Sequence, residues 1–332
     1  MSAARRILPL FIPHLGCPHQ CVFCDQKQIS GARSPVTPGD VTAALSALRP
    51  GDDGIEVAFY GGSFTALPLT EQAALLGAVQ PFRESGRVSR IRVSTRPDAV
   101  DEAVTAQLRA YGVETVELGA QSMDDAVLRR SGRGHTAADT RRASALLRQC
   151  GFHLILQMMT GLPGSDDGKE LFTARELAAL QPDGVRIYPT VVLRGTALER
   201  MLRSGEYREH TVEDAVRVCA EILPVFETAG IPVIRLGLNP TEELSGGEAV
   251  AGAYHPALGE LARSRVYLHR AQALFSPEDA GRDAVLAVNG RELSRMIGQH
   301  RCNAAALTGE YRLRSLKIVP AELAPGEVRR IT

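Results

Sequence analysis

The chain has no surplus of charge of either sign. Its 332 residues carry 38 lysines and arginines against 38 aspartates and glutamates, so no overall field draws it to nucleic acid or to an anionic membrane. Any such binding must come from a local patch. Long hydrophobic runs are also missing. The apolar stretch Ile7 to Pro13 is seven residues interrupted by two prolines, too short for a signal-peptide core or a membrane span, and nothing else approaches the roughly 18 apolar residues a spanning helix needs. Cysteine is scarce, six in all, and no second pair exists to complete a zinc module of two half-sites. Unpaired thiols without an export signal lead to the expectation of a cytoplasmic protein that does not enter a membrane.

Half of those cysteines are packed together. Cys17, Cys21 and Cys24 stand in Cys-Pro-His-Gln-Cys-Val-Phe-Cys, directly after the apolar run. Three convergent thiolates suit a soft metal centre, iron or zinc. A zinc knuckle would recruit His14 or His19 as fourth ligand, and a disulfide would leave an odd thiol. A four-iron, four-sulfur cube held by three cysteines leaves one iron open to a small molecule. The spacing of three then two residues, with Phe23 before the last cysteine, resembles the signature of radical S-adenosylmethionine (SAM) enzymes. That resemblance implies that Cys17, Cys21 and Cys24 ligate the cluster and that its free iron chelates SAM. One electron then yields methionine and a 5'-deoxyadenosyl radical, supplied with electrons by a reductase such as flavodoxin or ferredoxin. For Cys150, Cys219 and Cys302 the expectation is a small core or surface thiol.

From residue 6 to about 240, short β-branched or apolar runs alternate with amphipathic stretches, the rhythm of repeated βα units. Strands are expected at Ile7 to Ile12, Ile55 to Tyr60, Arg90 to Ser94, Thr115 to Leu118, Leu154 to Met158 and Val185 to Tyr188, with a further one at Ile231 to Leu238. The fold class is therefore α/β, a partial (β/α)6 TIM-like barrel with catalytic groups at the carboxyl ends of its strands, followed by a small α+β C-terminal domain. The Gly/Pro/Glu-rich stretch Asn239 to Ala253 reads as a connector, giving domains at 1–240 and 241–332.

Several strand ends carry polar groups. Strand two runs into Tyr60-Gly61-Gly62-Ser63, where paired glycines suit either a tight turn or close backbone approach to a ligand. Strand three ends in Ser94-Thr95-Arg96-Pro97-Asp98, whose hydroxyls suit a helix cap or a pocket. Glu117 needs a partner or a ligand among strand residues, and Gln157, Arg186 and Tyr188 are polar on otherwise apolar strands. His135 precedes a helix and reads as part of its capping loop. The radical SAM resemblance implies that Gly61 and Gly62 contact the methionine end of SAM and that Tyr60, Ser63, Thr95, Arg96, Glu117, Gln121 and Gln157 line the cofactor pocket. The family's usual glutamate after the glycines is Ser63 here.

In order along the chain, Ser94-Thr-Arg-Pro-Asp98, Glu117-Leu-Gly-Ala-Gln-Ser122, Arg133-Gly-His-Thr136 and Arg186-Ile-Tyr-Pro-Thr-Val-Val-Leu-Arg-Gly-Thr196 resemble the radical SAM branch that contains the catalytic subunit of Elongator. The resemblance implies RNA, with tRNA foremost, as substrate class by analogy. The residues after the connector are too few for that enzyme's acetyltransferase domain, so acetyl transfer is not expected to carry over. The tail reads as strand, helix, the link Gly298-Gln299-His300-Arg301, helix and strand, resembling a K-homology RNA-binding core whose second link glycine is replaced by Arg301. Arg282, Arg291, Arg295, Arg301, Arg312, Arg314 and Lys317 bias it positive. Tyr254 and His255, with Tyr188, are candidate substrate-side groups. Two other readings are a tetrapyrrole oxidase resembling the oxygen-independent coproporphyrinogen III dehydrogenases, and a non-catalytic iron-sulfur protein that binds RNA. Oligomeric state is not legible.

Overall fold

A computed structural model of the protein describes residues 6–12, 17, 19–25, 36–49, 52–238 and 248–331. Seven strands form one parallel sheet: β1 (Ile7–Phe11), β2 (Ile55–Tyr60), β3 (Val88–Thr95), β4 (Val113–Gln121), β5 (His153–Thr160), β6 (Gly184–Pro189) and, after the short β7 (Val191–Leu193), β8 (Val233–Leu236). Their order in the sheet is that of the chain, with β8 beside β6. The expected six βα units are present, and the strand expected after residue 231 joins the sheet as its seventh. The result is a curled half-barrel of α/β class.

Side-chain alternation decides which face is which. Val57, Phe59, Ile91, Val93, Val116, Leu118, Leu154, Leu156, Val185 and Ile187 are buried and belong to one apolar core beneath the helices. The helices of this part of the chain include α1 (Pro38–Ser46), α2 (Leu69–Glu84), α3 (Glu102–Ala110), α4 (Asp125–Arg130), α5 (Ala137–Gln149), α6 (Asp167–Ala179), α7 (Ala197–Ser204) and α8 (Val212–Thr228), and all of these but α4 and α7 place side chains in that core. Burying a side chain such as Phe59 or Phe64, which are fully covered with rings 5.0 Å apart, contributes about 1.5–3 kcal/mol. The residues one step out of phase are polar. Glu56, Tyr60, Arg92, Ser94, Glu117, Gly119, Gln157, Arg186 and Tyr188 take the other face. An apolar convex side and a polar concave side leave the hollow of the half-barrel as the place for chemistry.

Helix starts are fixed locally. Thr37 with Asp40, Thr136 with Asp139, and Thr211 with Asp214 form reciprocal capping boxes at α1, α5 and α8, each satisfying amides that the first turn cannot. Past β8 the connector contributes β9 (Ala249–Gly252), which pairs antiparallel with β7, so part of the expected loop is strand. Helix α9 (Leu258–Gln272) follows. It places Ala262 and Val266 in the barrel's core and Tyr267 and Ala271 in a second, small core with Leu286, Val288, Met296 and Leu307. The small unit has β10 (Asp283–Asn289), α10 (Leu293–Ile297), α11 (Cys302–Glu310), β11 (Ser315–Ala321) and β12 (Val328–Arg330), with sheet order β11-β10-β12. This is the strand–helix–link–helix–strand order expected, with β12 added. Among the described residues no helix is long and apolar enough to cross a membrane.

Candidate active site

The cysteine loop follows the end of β1, whose neighbour Ile12 donates its amide hydrogen to the Tyr60 carbonyl at 2.8 Å. Within the loop the Cys24 amide reaches the Cys21 carbonyl at 3.1 Å. Two distant segments pin it. Val22 donates to the Ser131 carbonyl at 3.1 Å and accepts from the Leu198 amide at 2.8 Å, while Val22 and Phe23 pack against Val192, Leu198 and Tyr207. His14 lies outside the described residues.

All three thiols are free and sense one another. Burial, then the charges of Cys21 and Cys17, push Cys24 up to about 12. Burial and Cys21 likewise raise Cys17, opposed by Arg96, Arg133 and a hydrogen bond from the Ser63 backbone. A metal centre would therefore bind by displacing protons. Among the described residues no three His, Cys, Asp or Glu groups are gathered for a single ion. Three soft thiol donors with two guanidinium groups alongside are a donor set of the kind an anionic iron-sulfur cluster takes.

The concave face beside this loop is held by a charge network. Glu117 is almost fully buried. Its Oε1 accepts from Arg92 Nη1 at 2.5 Å, Arg186 Nη2 at 3.1 Å and the Tyr60 hydroxyl at 3.5 Å. Arg92 also donates to Glu56 at 2.7 Å. Burial lowers the Arg92 pKa, but the Glu56 hydrogen bond and the Glu117 charge outweigh it and hold the guanidinium above its ordinary range. Burial and the Glu117 carboxylate push Tyr60 up to about 12, so its hydroxyl stays a donor. Arg186 Nη1 reaches the Tyr188 hydroxyl at 3.4 Å, and Gln157 donates to Gln121 at 3.2 Å, Gln121 itself lying at φ 65°. The structure thus joins Tyr60, Glu117, Arg186 and Tyr188, and separately Gln121 and Gln157.

Other expected site residues have different surroundings. Gly61, at φ +95°, passes so close to Phe11 that a Cβ would touch its ring at 3.4 Å. Thr95 and Ser63 are buried on each other, their hydroxyls 2.9 Å apart, and Thr95 also meets the Thr65 hydroxyl at 2.6 Å. These contacts tie the turn after β2 to the end of β3. Arg96 is buried, ion-paired with Asp98 and donating to the Arg133 carbonyl at 2.6 Å. His255 has a local contact, its Nδ1 accepting from the Ala257 amide at 3.1 Å, and Tyr254 precedes it in the turn into α9.

Sequence reasoning passed over Arg92, although its period-two position between Ile91 and Val93 marks it as facing away from the core. It also passed over Arg133, whose Nη1 lies 3.4 Å from Cys21 Sγ. His135 donates through Nε2 to the Ala120 carbonyl at 3.1 Å, and burial with Arg133 nearby lowers it to about 4. In the small unit, Arg295 is held by Glu260 and Arg314 by Asp283, so two of the seven basic groups are engaged with acids.

The family model described as "Radical SAM superfamily" matches residues 11–177, and "Radical_SAM C-terminal domain" matches 182–269. The tRNA uridine(34) acetyltransferase of Methanocaldococcus jannaschii is 31% identical over 245 residues, 61% of this chain and 45% of that protein. Human Elongator complex protein 3 is 32% identical over 200 residues, 54% of this chain and 36% of its own length. The chain therefore spans less than half of these curated relatives. Among solved structures, the archaeal Elp3 of Methanocaldococcus infernus with an N-terminal deletion aligns with a TM-score of 0.61 at 23% identity, covering 81% of this chain and 64% of that one. The Escherichia coli coproporphyrinogen III oxidase HemN gives 0.54 at 19%, covering 68% and 53%. At those identities the two structures speak to fold alone.

Proposed function

This chain belongs to the radical SAM superfamily, and from that membership we propose that it cleaves SAM reductively to modify an RNA, with transfer RNA as the substrate class. It is a radical SAM enzyme, and its cofactors are a four-iron, four-sulfur cluster and SAM. The observation that carries the reading is the grouping of Cys17, Cys21 and Cys24 at the mouth of a polar half-barrel, against the Gly61-Gly62-Ser63 turn and two buried arginines. When bound, the cluster supplies the electron that splits SAM into methionine and a 5'-deoxyadenosyl radical.

The protein's own groups bind and orient. Cys17, Cys21 and Cys24 hold three corners of the cluster. The backbone of Gly61, Gly62 and Ser63 receives the methionine end of SAM, with Tyr60, Arg96, Gln121 and Gln157 along the cofactor's path. Glu117 fixes Tyr60 and Arg186 by hydrogen bonds, and Tyr188, beside Arg186, meets the substrate over the hollow. Tyr254 and His255 stand on the substrate side of the turn into α9. Walls of this kind exclude water from a reactive intermediate. The small C-terminal unit grips RNA through Arg291, Arg301, Arg312 and Lys317, in the manner of a K-homology core. The transfer RNA assignment draws on the names of the relatives. A flavodoxin- or ferredoxin-type reductase in the cytoplasm completes the reading.

Anaerobic incubation of reconstituted protein with SAM and dithionite tests the chemistry. Release of 5'-deoxyadenosine, lost in Cys21→Ala, is expected, and cleavage at the unaltered rate in that variant would remove Cys21 from the ligand set. Nucleoside analysis of transfer and ribosomal RNA from cells with and without this chain tests the substrate. A difference in one modified nucleoside is expected, and identical profiles would end the RNA assignment while leaving the cluster chemistry in place.

A further inference from the structure

Arg133 is a buried cation that no ion pair among the described residues accounts for. It lies between the cysteine loop and the end of β4. Its Nη1 is 3.4 Å from Cys21 Sγ, and its Nη2 donates to the Gly119 carbonyl at 2.6 Å. Its Nε is buried with no hydrogen-bond partner among the described residues. A desolvated guanidinium calls for negative charge nearby, and the two groups it reaches are a cysteine sulfur and a backbone carbonyl.

The flanking chain shows how this side chain is delivered to the sulfur. Gly132 and Gly134 both have positive φ, +68° and +73°. A Cβ at Gly132 would stand 3.0 Å from the Gln20 carbonyl, and one at Gly134 would overlap the His19 ring at 2.2 Å. The backbone on either side of Arg133 therefore lies flush on the cysteine loop, as the Val22–Ser131 hydrogen bond already requires. The arginine between the two glycines is left to reach in.

We infer that Arg133 is the counter-ion of the cluster, donating a charge-assisted hydrogen bond to the Cys21 thiolate and making the centre easier to reduce. The inference rests on the proposed assignment of Cys17, Cys21 and Cys24 as ligands. One-electron reduction adds a negative charge to a buried centre. A guanidinium at hydrogen-bond distance favours the more negative state, because hydrogen bonds to sulfur and nearby charge set cluster potentials. Arg133 acts through Cys21 and is a positioning residue.

The test is an anaerobic redox titration, followed by electron paramagnetic resonance without SAM, of wild-type protein, Arg133→Gln and Arg133→Lys, each with iron and sulfide measured. Arg133→Gln is expected to lower the reduction equilibrium constant about tenfold, about 59 mV for one electron, with Arg133→Lys between it and the wild type. An unchanged midpoint in Arg133→Gln with the cluster intact would overturn the inference alone. A wild-type protein that assembles no four-iron cluster would overturn the ligand assignment and this inference with it. Should both variants lose the cluster, wild-type protein labelled with nitrogen-15 in its arginines decides the matter. A hyperfine coupling from an arginine nitrogen to the reduced cluster is expected, and its absence would refute the hydrogen bond.

Discussion

Glu117 and Arg92 stand on adjacent strands, β4 and β3, with carboxylate and guanidinium 2.5 Å apart, and each has a further partner, Arg186 for Glu117 and Glu56 for Arg92. Breaking a buried network on one side strands the charges left behind. Glu117→Ala should therefore destabilise the protein by about 3–5 kcal/mol. Urea unfolding followed by circular dichroism measures this. A loss below about 1 kcal/mol would mean that solvent satisfies Arg92 and Arg186 in its place.

Glu170, on α6, gives a pH prediction away from the cluster. Its carboxylate is buried and accepts from the Gly161 amide at 2.6 Å. Burial, only partly offset by that hydrogen bond, pushes it up to about 7 from an ordinary 4.5. The folded protein then holds a proton that the unfolded chain releases, so this group's contribution to stability falls as pH rises from about 4.5 to about 7 and is flat above. Glu170→Gln keeps the acceptor and removes the titration. Its stability relative to wild type should grow across that window by about 3 kcal/mol. Melting temperatures at pH 5 and pH 8 decide it, and an equal difference at both would show that Glu170 does not titrate there.

Gly132→Ala should loosen the cysteine loop. The substitution forces alanine to φ +68° and brings its Cβ to 3.0 Å from the Gln20 carbonyl, a backbone atom that cannot swing aside. We expect iron content after reconstitution to fall several-fold while the far-ultraviolet circular dichroism stays unchanged. Full iron loading would show that the loop tolerates the shift.

Thr95→Val separates two roles for one hydroxyl. Because that group bridges Ser63 and Thr65, its loss should cost about 1–3 kcal/mol of stability and leave SAM affinity unaltered by calorimetry. Weaker SAM binding at unchanged stability would instead show that Thr95 serves the cofactor pocket.

Much of this is legible in the chain itself. The strands of the half-barrel announce themselves as apolar runs, and the period-two rule turns Glu117, Gln157, Arg186 and Tyr188 toward the hollow. Applied consistently, the same rule would have sent Thr95 outward with Ile91 and Val93, and Arg92 inward. The β7–β9 pair was illegible for a different reason: it joins Val191–Leu193 to Ala249–Gly252, two short segments far apart in sequence, and no local pattern encodes such a meeting. The charge network is a matter of which polar groups the curl brings together, which residue type alone does not specify. The same holds for the guanidinium at Cys21. Its residue number is over a hundred away from the sulfur it touches.

Helix Leu258–Gln272 belongs to two hydrophobic interiors at once, Ala262 and Val266 to one and Tyr267 and Ala271 to the other. A scissile point for dividing the protein therefore lies beyond this helix, between Ala273 and Arg282, and not at the connector near residue 240. A fragment cut at the connector would expose the flank of Val212–Thr228 to water, whereas one ending past Gln272 would keep that cover.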